Sequence, residues 1–325
     1  MYRIGIDAMG LTKGLGPVID SILYFLEDYS DVEFVVFGKR KLLNELDGFV
    51  KIIDCIEVAE ASDNVDEIVK NGDYSITKLL EYAKEKNVDA IVSGANSQIF
   101  LNAAAKTLKL YEEIEEPALV NLLPTKEEGD TICVLDCGYS DKKTPERFYT
   151  LGQIGRVVAQ VEKNMPNPRI SILKTRYDNL KLNKEAAKAE KYIKEKELQG
   201  FKGTVEARHV FTSEHTDVVV CGAQEGEILV AMTEGASNLF VNSLSRAFNA
   251  NFTSKLGYAI ARSSLEPVRK NADFKNYSGA LIMGFDIVAV KAPENSDIVS
   301  FYSSIKLAYN MCKKKLINKM QSEFF

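Results

Sequence analysis

Tryptophan is absent from this chain of 325 residues, and histidine occurs only twice, as His209 and His215. So few imidazoles argue against a histidine-rich metal centre. Long apolar runs are lacking as well, since none approaches the roughly 20 residues that a membrane-spanning helix needs. The N-terminus has no charged segment followed by an apolar one, which a signal peptide would require. We therefore expect a cytoplasmic protein.

Positive charge is not in excess. The formal net charge is -5, whereas a nucleic-acid-binding protein usually presents a basic face. The composition, 46% hydrophobic and 27% charged, is that of an ordinary globular protein. The length suffices for one large domain or two modest ones, and no low-complexity linker divides the chain. We expect a single domain over residues 1–325 and no nucleic-acid partner.

Cysteine is sparse and its number is odd, which argues against a disulfide framework. The five cysteines are Cys55, Cys133, Cys137, Cys221 and Cys312. Only Cys133 and Cys137 lie close together in sequence, and no second pair completes a zinc site. We therefore expect no metal.

The chain repeats one device, an apolar strand that ends in a small polar or glycine-rich turn. It occurs at Tyr2 to Gly10, Val32 to Gly38, Val88 to Ser97, Thr131 to Ser140, Thr216 to Gly226 and Phe285 to Ser296. Valine and isoleucine runs bounded in this way are typical of strands buried on both faces of a parallel sheet. Ligands of such sheets bind beyond the carboxyl ends of the strands. The turns are therefore the places to look for chemistry.

Helical patterns alternate with these strands, which indicates an α/β fold with a mostly parallel sheet. They cover Gly16 to Tyr29, Ser75 to Lys86 with Ser75 as a candidate N-cap, Gln98 to Leu110, Phe148 to Asn164, Asn183 to Leu198, Glu225 to Phe248 and Ile298 to Gln321. Residues 249–276 are the least regular stretch, partly helical, basic and apolar together. They form either a packed or solvated helical hairpin or an exposed arm that touches a membrane surface or a partner.

The turn SGANS offers a candidate anion site. Ser93 ends a strand, Gly94 permits a tight turn, and Asn96 and Ser97 stand at the start of a helix. Unpaired backbone N–H groups at a helix start favour an anion such as phosphate. The same residues also suit plain N-capping, which needs no ligand. Both interpretations stay open on the spacing.

Two further turns carry an aspartate at a strand end. Asp7 lies in IDAMG, before Gly10, and Asp136 lies in LDCGYSD, before Gly138. Cys137 beside Asp136 has no histidine near it in sequence to act as a base, so an inert buried thiol is favoured over a nucleophile. The carboxylates could orient a donor or cap a neighbouring loop.

The turn CGAQEGE, which contains Gly222, leads into a predicted helix. Glu225 and Glu227 fall in its first turn, where acidic side chains suit the helix dipole. That role competes with a catalytic one, and acids here would repel a phosphate.

The last of these turns, VKAPENSD, carries three polar residues after a strand, Lys291, Asn295 and Ser296. Lys291 is a reasonable charge for binding an anion, although a lysine at a strand end is often only solvated.

Taken together and in order, these turns resemble those of the bacterial phosphate acyltransferase family of fatty acid and phospholipid synthesis. The resemblance covers nearly the whole chain and rests on IDAMG, SGANS, EPALVNLLPT, VLDCG, MPNPRISIL, TDVVVCG, TEG, YSGALIMGF and VKAPENSD. It implies a three-layer α/β/α sandwich similar to isocitrate and isopropylmalate dehydrogenases, usually a homodimer. It also implies transfer of an acyl chain from acyl carrier protein to inorganic phosphate without a cofactor, with the product used at the membrane, where peripheral contact is one hypothesis.

The resemblance and the strand ends together give the predicted site. The predicted catalytic residues are Asp7, Asn96, Asp136 and Lys291. The predicted phosphate- or substrate-binding residues are Gly10, Ser93, Gly94, Ser97, Gly138, Gly222, Asn295 and Ser296.

The chain departs from the family pattern at most of these turns. The departures are Leu11 after Gly10, Asn96-Ser97-Gln98, Gly138-Tyr139-Ser140, KTRYDN at Lys174 to Asn179, GAQEGE, and Pro293-Glu294. Lost glycines matter where backbone must approach an anion closely. Two hypotheses follow, a divergent phosphate acyltransferase and a catalytically silent relative that acts as a binding or scaffolding subunit. A decarboxylating dehydrogenase is disfavoured, because the aspartate cluster for its metal cannot be assembled.

Overall fold

The computed structural model describes residues 1–176, 181–212 and 216–324. His215 and the 177–179 part of the KTRYDN segment lie outside the described residues.

Strands and helices alternate along the chain. The strands are β1 (Tyr2–Asp7), β2 (Val32–Gly38), β3 (Lys51–Asp54), β4 (Ala90–Ser93), β5 (Ala118–Pro124), β6 (Thr131–Leu135), β7 (Ile170–Lys174), β8 (Phe201–Glu206), β9 (Val218–Val220), β10 (Ala280–Met283) and β11 (Val288–Lys291). The helices are α1 (Gly16–Asp28), α2 (Val65–Lys70), α3 (Ser75–Lys84), α4 (Ser97–Thr107), α5 (Pro145–Lys163), α6 (Lys181–Glu195), α7 (Ala223–Asn249), α8 (Phe252–Ala272), α9 (Ile298–Lys313) and α10 (Leu316–Glu323).

The chain forms two compact units. The first comprises Met1–Val120, Gln160–Met165 and Ser278–Phe325. Its strands lie in the order β3-β2-β1-β4-β11-β10. Neighbouring strands from β3 to β11 are parallel, and β10 is antiparallel to β11. Helices α3 and α9 pack on this sheet, and α1 packs on α9.

The second unit comprises Asn121–Ala159 and Pro166–Tyr277. Its strands lie in the order β6-β9-β7-β8, and all three pairings are parallel. Helix α6 packs on β7 and β8. The α/β class with a mostly parallel sheet flanked by helices, which the sequence predicts, is confirmed. The expectation of a single domain stays a prediction.

Branched aliphatic side chains make up the core, as the strand pattern predicts. Ile4 and Ile6 of β1, Val92 of β4 and Val290 of β11 are completely buried. Each such side chain contributes roughly 1.5–3 kcal/mol through burial. This apolar row fixes the strand register, and the register in turn places the polar residues that follow at the strand ends.

Two local predictions are wrong. Ser75 is not an N-cap, because Tyr74 takes that position and the Ser75 hydroxyl bonds elsewhere. The pattern from Ile298 to Gln321 is two helices, because Lys315 adopts a left-handed conformation with φ of 57° and interrupts it.

The stretch at 249–276 is largely helical, since α8 covers most of it and a short 3₁₀ helix follows at Phe274–Tyr277. Helix α8 packs along α7, with the rings of Phe248 and Tyr258 5.0 Å apart. Helix α8 buries none of its residues, and α7 buries only Ala223 and Gly226 near its start. In the part of the chain that the structure describes, no helix combines the length and apolar character that crossing a membrane requires.

Candidate functional site

The first unit brings Asp7, Ser93 and Lys291 into one row. Asp7 pairs with Ser93 across β1 and β4, and Lys291 pairs with Ser93 across β11 and β4. All three residues are buried at the carboxyl ends of neighbouring parallel strands. Residues paired in a sheet point to the same face, so a carboxylate, a hydroxyl and an ammonium group stand side by side. This row is the centre of the candidate site.

Hydrogen bonds hold the Asp7 carboxylate on several sides. Its Oδ1 accepts from the Ser75 hydroxyl at 2.8 Å and from the Met9 amide at 3.0 Å. Its Oδ2 accepts from the Ser93 hydroxyl at 2.7 Å. Burial raises the pKa of Asp7 above its usual value, and the three hydrogen bonds oppose that rise. Asp7 therefore fastens α3 and the SGANS turn to the end of β1.

Lys291 is the buried cation of this row, with only 6% of its surface exposed. Its Nζ donates to the carbonyl of Ala292 at 2.5 Å. Burial lowers the pKa of Lys291 to about 8, and the nearby carboxylates of Glu294 and Asp7 oppose the shift. The side chain thus carries a positive charge near neutral pH that little solvent screens.

Asn96 caps the helix that follows β4. Its Oδ1 accepts from the amides of Gln98 at 3.0 Å and Ile99 at 3.4 Å. The N-capping interpretation of SGANS is therefore confirmed for Asn96. Ser97 is the first residue of α4, and its backbone N–H is among those that a helix start leaves without an intrahelical partner.

A carboxylate of this chain meets the start of α4. Oε1 of Glu294 accepts from Nδ2 of Asn96 at 3.2 Å and from the Ser97 amide at 3.3 Å. The backbone carbonyl of Glu294 accepts from the amide of Thr12 at 2.8 Å and from its hydroxyl at 3.0 Å. Glu294 therefore joins the turn after β11 to both the loop after β1 and α4.

Gly10 and Gly94 allow two turns to touch. A Cβ at Gly10 would lie 2.2 Å from the backbone nitrogen of Ala95, a distance that real structures do not show. A Cβ at Gly94 would lie 2.2 Å from Cδ2 of Leu11. Leu11, which departs from the family pattern, is buried and packs against Gly94.

The two remaining predicted residues of the first unit differ in exposure. Ser296 is buried, and its hydroxyl donates to the carbonyl of Pro293 at 2.6 Å, closing the turn. Asn295 is exposed on the same turn. The binding roles of Asn295 and Ser296 stay predictions.

The second unit contains Asp136, Gly138 and Gly222. Oδ2 of Asp136 accepts from NH2 of Arg147 at 2.9 Å, and both side chains are buried. The amides of Tyr139 and Ser140 also donate to the Asp136 carboxylate, each at 3.4 Å. Gly138 has φ of 115°, a conformation that favours glycine. Asp136 therefore organises its own turn and holds the first part of α5.

Two cysteines lie beside this turn, and both are buried. Sγ of Cys137 donates to the carbonyl of Val134 at 3.2 Å, and Sγ of Cys221 donates to that of Asp136 at 3.5 Å. Burial raises the pKa of Cys137 to about 12 and that of Cys221 well above its usual value. A thiol that stays protonated is a poor nucleophile, which supports the inert interpretation of Cys137.

Gly222 lies beneath an ion pair. Nζ of Lys143 is 2.5 Å from Oε1 of Glu225, and a Cβ at Gly222 would come within 2.6 Å of the Lys143 side chain. Glu225 is in the first turn of α7, as the dipole argument predicts, whereas the prediction for Glu227 is wrong, because it lies beyond the first turn. Oε2 of Glu225 is buried without a hydrogen-bond partner.

Sequence patterns did not reveal the partners of these residues. Arg147, Ser75 and Glu294 contact predicted site residues, at separations from 11 to 198 positions along the chain, and Lys143 contacts Glu225 across 82 positions. Of these partner residues, only Glu294 could have been suspected from the local sequence, because it is an acidic residue three positions after Lys291. Among residues 1–176, 181–212 and 216–324, no group of histidine, cysteine or acidic side chains could hold a metal ion. The expectation that neither metal nor cofactor takes part stays a prediction.

Known proteins similar to this chain cover nearly all of it. The family described as fatty acid synthesis protein matches residues 2–319. A phosphate acyltransferase of Staphylococcus epidermidis is 28% identical over 322 residues, which are 99% of this chain and 98% of that protein. A phosphate acyltransferase of Clostridium novyi is 26% identical over 328 residues, 98% of each chain.

Among solved structures, a branched-chain phosphotransacylase of Enterococcus faecalis is similar in fold, with a TM-score of 0.59 and 13% identity. The match covers 95% of this chain and 98% of that one. At this identity the likeness concerns the fold alone.

Proposed function

The chain belongs to the family described as fatty acid synthesis protein, and on that premise we propose that it is a phosphate acyltransferase. It moves a fatty acyl group from acyl carrier protein to inorganic phosphate and releases an acyl phosphate for phospholipid synthesis. The names of the two relatives support this proposal, because both are phosphate acyltransferases aligned over nearly their full length.

The observation that carries the proposal is the row of Asp7, Ser93 and Lys291 beside the start of α4. A buried ammonium and the N–H groups of a helix start both attract an anion. Nδ2 of Asn96 adds a donor that orients it, and the Ser93–Asp7 hydrogen bond keeps the turn in place. Phosphate held there is positioned as a nucleophile.

The chemistry needs no redox step. An oxygen of hydrogen phosphate attacks the thioester carbonyl carbon, the new C–O bond forms, and the C–S bond breaks. The carrier sulfur leaves as a thiolate and takes up the proton that hydrogen phosphate loses, so the released product is the carrier thiol. The oxyanion of the tetrahedral intermediate requires nearby donors or positive charge. We assign Lys291 and Asn96 to binding the phosphate and stabilising the transition state. We assign Asp7 to holding the turns of the first unit, and Asp136 to holding its own turn in the second unit. In the first unit, Gly10, Gly94, Ser97, Asn295 and Ser296 complete the proposed binding residues, and Gly138 and Gly222 are those proposed in the second unit.

The test is a coupled assay of the purified protein with acyl-acyl carrier protein and inorganic phosphate. Carrier thiol and acyl phosphate should appear together and only with phosphate. Asn96→Ala and Lys291→Ala should each lower turnover by roughly a hundredfold or more, the scale of losing a preorganised donor or charge. Lys306→Ala, an exposed lysine on α9, is the matched control and should keep full activity.

The alternative is a catalytically silent scaffolding subunit, and one feature favours it. Carboxylates of the chain meet the first turns of two helices, Glu294 at α4 and Glu225 at α7. No thiol release across several acyl-chain lengths, from a protein that is folded by circular dichroism, would favour this function over the transferase.

A membrane contact accompanies the proposed reaction, because its product is lipid-like. Phe252, Leu256 and Ile260 recur every four residues on α8 and are 81%, 54% and 77% exposed. Exposed Lys255 and Arg262 on the same helix suit an anionic bilayer. Vesicles containing phosphatidylglycerol should co-sediment with the protein at low salt. The double variant Phe252→Ser/Ile260→Ser should lose this binding and keep its fold.

We also expect a homodimer in solution. Sedimentation equilibrium gives the mass directly, and a species of 36.2 kDa, the mass of one chain, would contradict this expectation.

A further inference from the structure

The carboxylate of Glu294 lies where an anionic substrate would meet α4. It reaches the Ser97 amide and the Asn96 side chain from a turn that is 197 and 198 positions away in sequence, respectively. The two donors belong to the N-cap and to the first residue of an eleven-residue helix. A negatively charged group is the natural ligand of such a position.

A buried cation also acts on the same carboxylate. The charge of Glu294 is the largest of the electrostatic influences that favour the protonated form of Lys291. Glu294 therefore meets the start of α4 and lies within the field of the buried ammonium. An incoming phosphate would use these same two sources of positive potential.

The backbone and the side chain of Glu294 have separate attachments. The carbonyl is held by the amide and hydroxyl of Thr12 at 2.8 and 3.0 Å. The side chain makes longer bonds, of 3.2 and 3.3 Å, and the residue is partly exposed. A rotation of the side chain can thus release the start of α4 while the turn after β11 keeps its place.

From this arrangement we propose that Glu294 is an internal competitor for the anion position at the start of α4, and that phosphate binds by displacing its carboxylate. The inference rests on the proposed phosphate site and adds its regulation. A site held by an internal group nine-tenths of the time binds its ligand about tenfold more weakly than the open site. Glu294 then sets the phosphate concentration at which the site fills.

The experiment is calorimetric titration of inorganic phosphate into the full chain, without acyl donor and at fixed ionic strength. Glu294→Gln keeps the shape and removes the charge, and it should lower the phosphate Kd by roughly tenfold. Glu294→Gly removes the side chain and should lower the Kd at least as far. Glu113→Gln removes one exposed carboxylate elsewhere in the same unit and should leave the Kd unchanged.

The titration separates this inference from the proposed function. Tighter phosphate binding by the Glu294 variants would support the competitor role even if no variant transfers an acyl group. Equal Kd values for wild type and Glu294→Gln would overturn it, even if the wild type is an active transferase. A Kd lowered equally by Glu113→Gln would also overturn it, since net charge would then be the cause. The inference would also be overturned if no variant bound phosphate although thermal unfolding showed that each variant is folded.

Discussion

The Ser93 hydroxyl links the ends of two parallel strands, because it donates a hydrogen bond of 2.7 Å to Oδ2 of Asp7. Oγ of Ser93 also accepts a hydrogen bond of 3.0 Å from the amide of Ala95. Ser93 therefore connects the buried carboxylate of Asp7 to the turn that precedes α4. Removal of the Ser93 hydroxyl would leave the Asp7 carboxylate and the Ala95 amide each without one hydrogen-bond partner in a buried position.

We expect Ser93→Ala to lower the free energy of unfolding by about 1–3 kcal/mol, the cost of leaving buried polar groups unsatisfied. Urea denaturation followed by circular dichroism measures this change. Ser322→Ala on α10 removes an exposed hydroxyl and should change the stability by less than about 0.5 kcal/mol. Equal effects of the two substitutions would mean that the Asp7–Ser93 bond contributes nothing specific.

Gly10 in the loop after β1 and Gly16 at the start of α1 should respond differently to alanine. At Gly10 the new methyl group would lie 2.2 Å from the Ala95 backbone, so the loop must move, at a cost of roughly 1–3 kcal/mol. At Gly16 nothing lies within 4 Å of a Cβ, and the residue starts α1. Gly16→Ala should be neutral or stabilising. Thermal unfolding of both variants checks the contrast, and a Gly10→Ala protein as stable as wild type would contradict it.

The buried pair of Asp136 and Arg147 predicts a large loss when one partner is removed. Arg147→Ala leaves a buried carboxylate without its cation, which typically costs about 3–5 kcal/mol. The exposed pair of Arg3 and Glu33 is the control, and Arg3→Ala should cost at most about 1 kcal/mol. Chemical denaturation of the two variants gives both values. A small loss for Arg147→Ala would show that solvent reaches Asp136.

Local pattern sufficed for some of the site and failed where partners are distant in sequence. Asn96 as an N-cap follows from its place between a strand and a helix, and the amides that donate to its Oδ1 are only two and three residues away. Ser75 has the same local character, yet its hydroxyl bonds Asp7 across 68 positions. Local preference cannot weigh such a partner, because only the strand register brings the two together.

The strand order and register also explain why the sequence alone could predict only part of the row formed by Asp7, Ser93 and Lys291. The sequence placed Asp7, Ser93 and Lys291 each at the end of a strand. Their adjacency depends on the strand order β1-β4-β11, which joins segments nearly 200 positions apart. The role of Glu294 depends on that order as well, since its carboxylate reaches α4 only because β11 lies beside β4.

Thiol chemistry should be absent from two of the three cysteines of the second unit. Cys137 and Cys221 are buried and their pKa values are raised, so native protein should resist iodoacetamide at both positions near neutral pH. Mass spectrometry of peptides from native and urea-treated protein measures the difference. Cys137→Ser should retain any acyl transfer activity. Rapid alkylation of native Cys137, or a trapped acyl-cysteine, would contradict the prediction.

Stability should rise with pH because of Lys291. Burial lowers its pKa from 10.5 to about 8 in the folded protein, so between these values the unfolded chain binds more protons than the folded one. Unfolding then becomes more costly as the pH rises from about 8 to 10.5, by up to about 3 kcal/mol. Below about pH 8 the buried charge exerts its full destabilising effect.

Lys291→Met keeps the length of the side chain and removes the charge. It should be more stable than the wild type near neutral pH, and the difference between the two proteins should shrink as the pH approaches 10.5. Lys306→Met on the surface of α9 should follow the wild type at every pH. Other groups titrate in this range, so the measured quantity is the difference in urea unfolding free energy between variant and wild type. A difference that stays constant with pH would mean that Lys291 keeps its ordinary pKa in the folded protein.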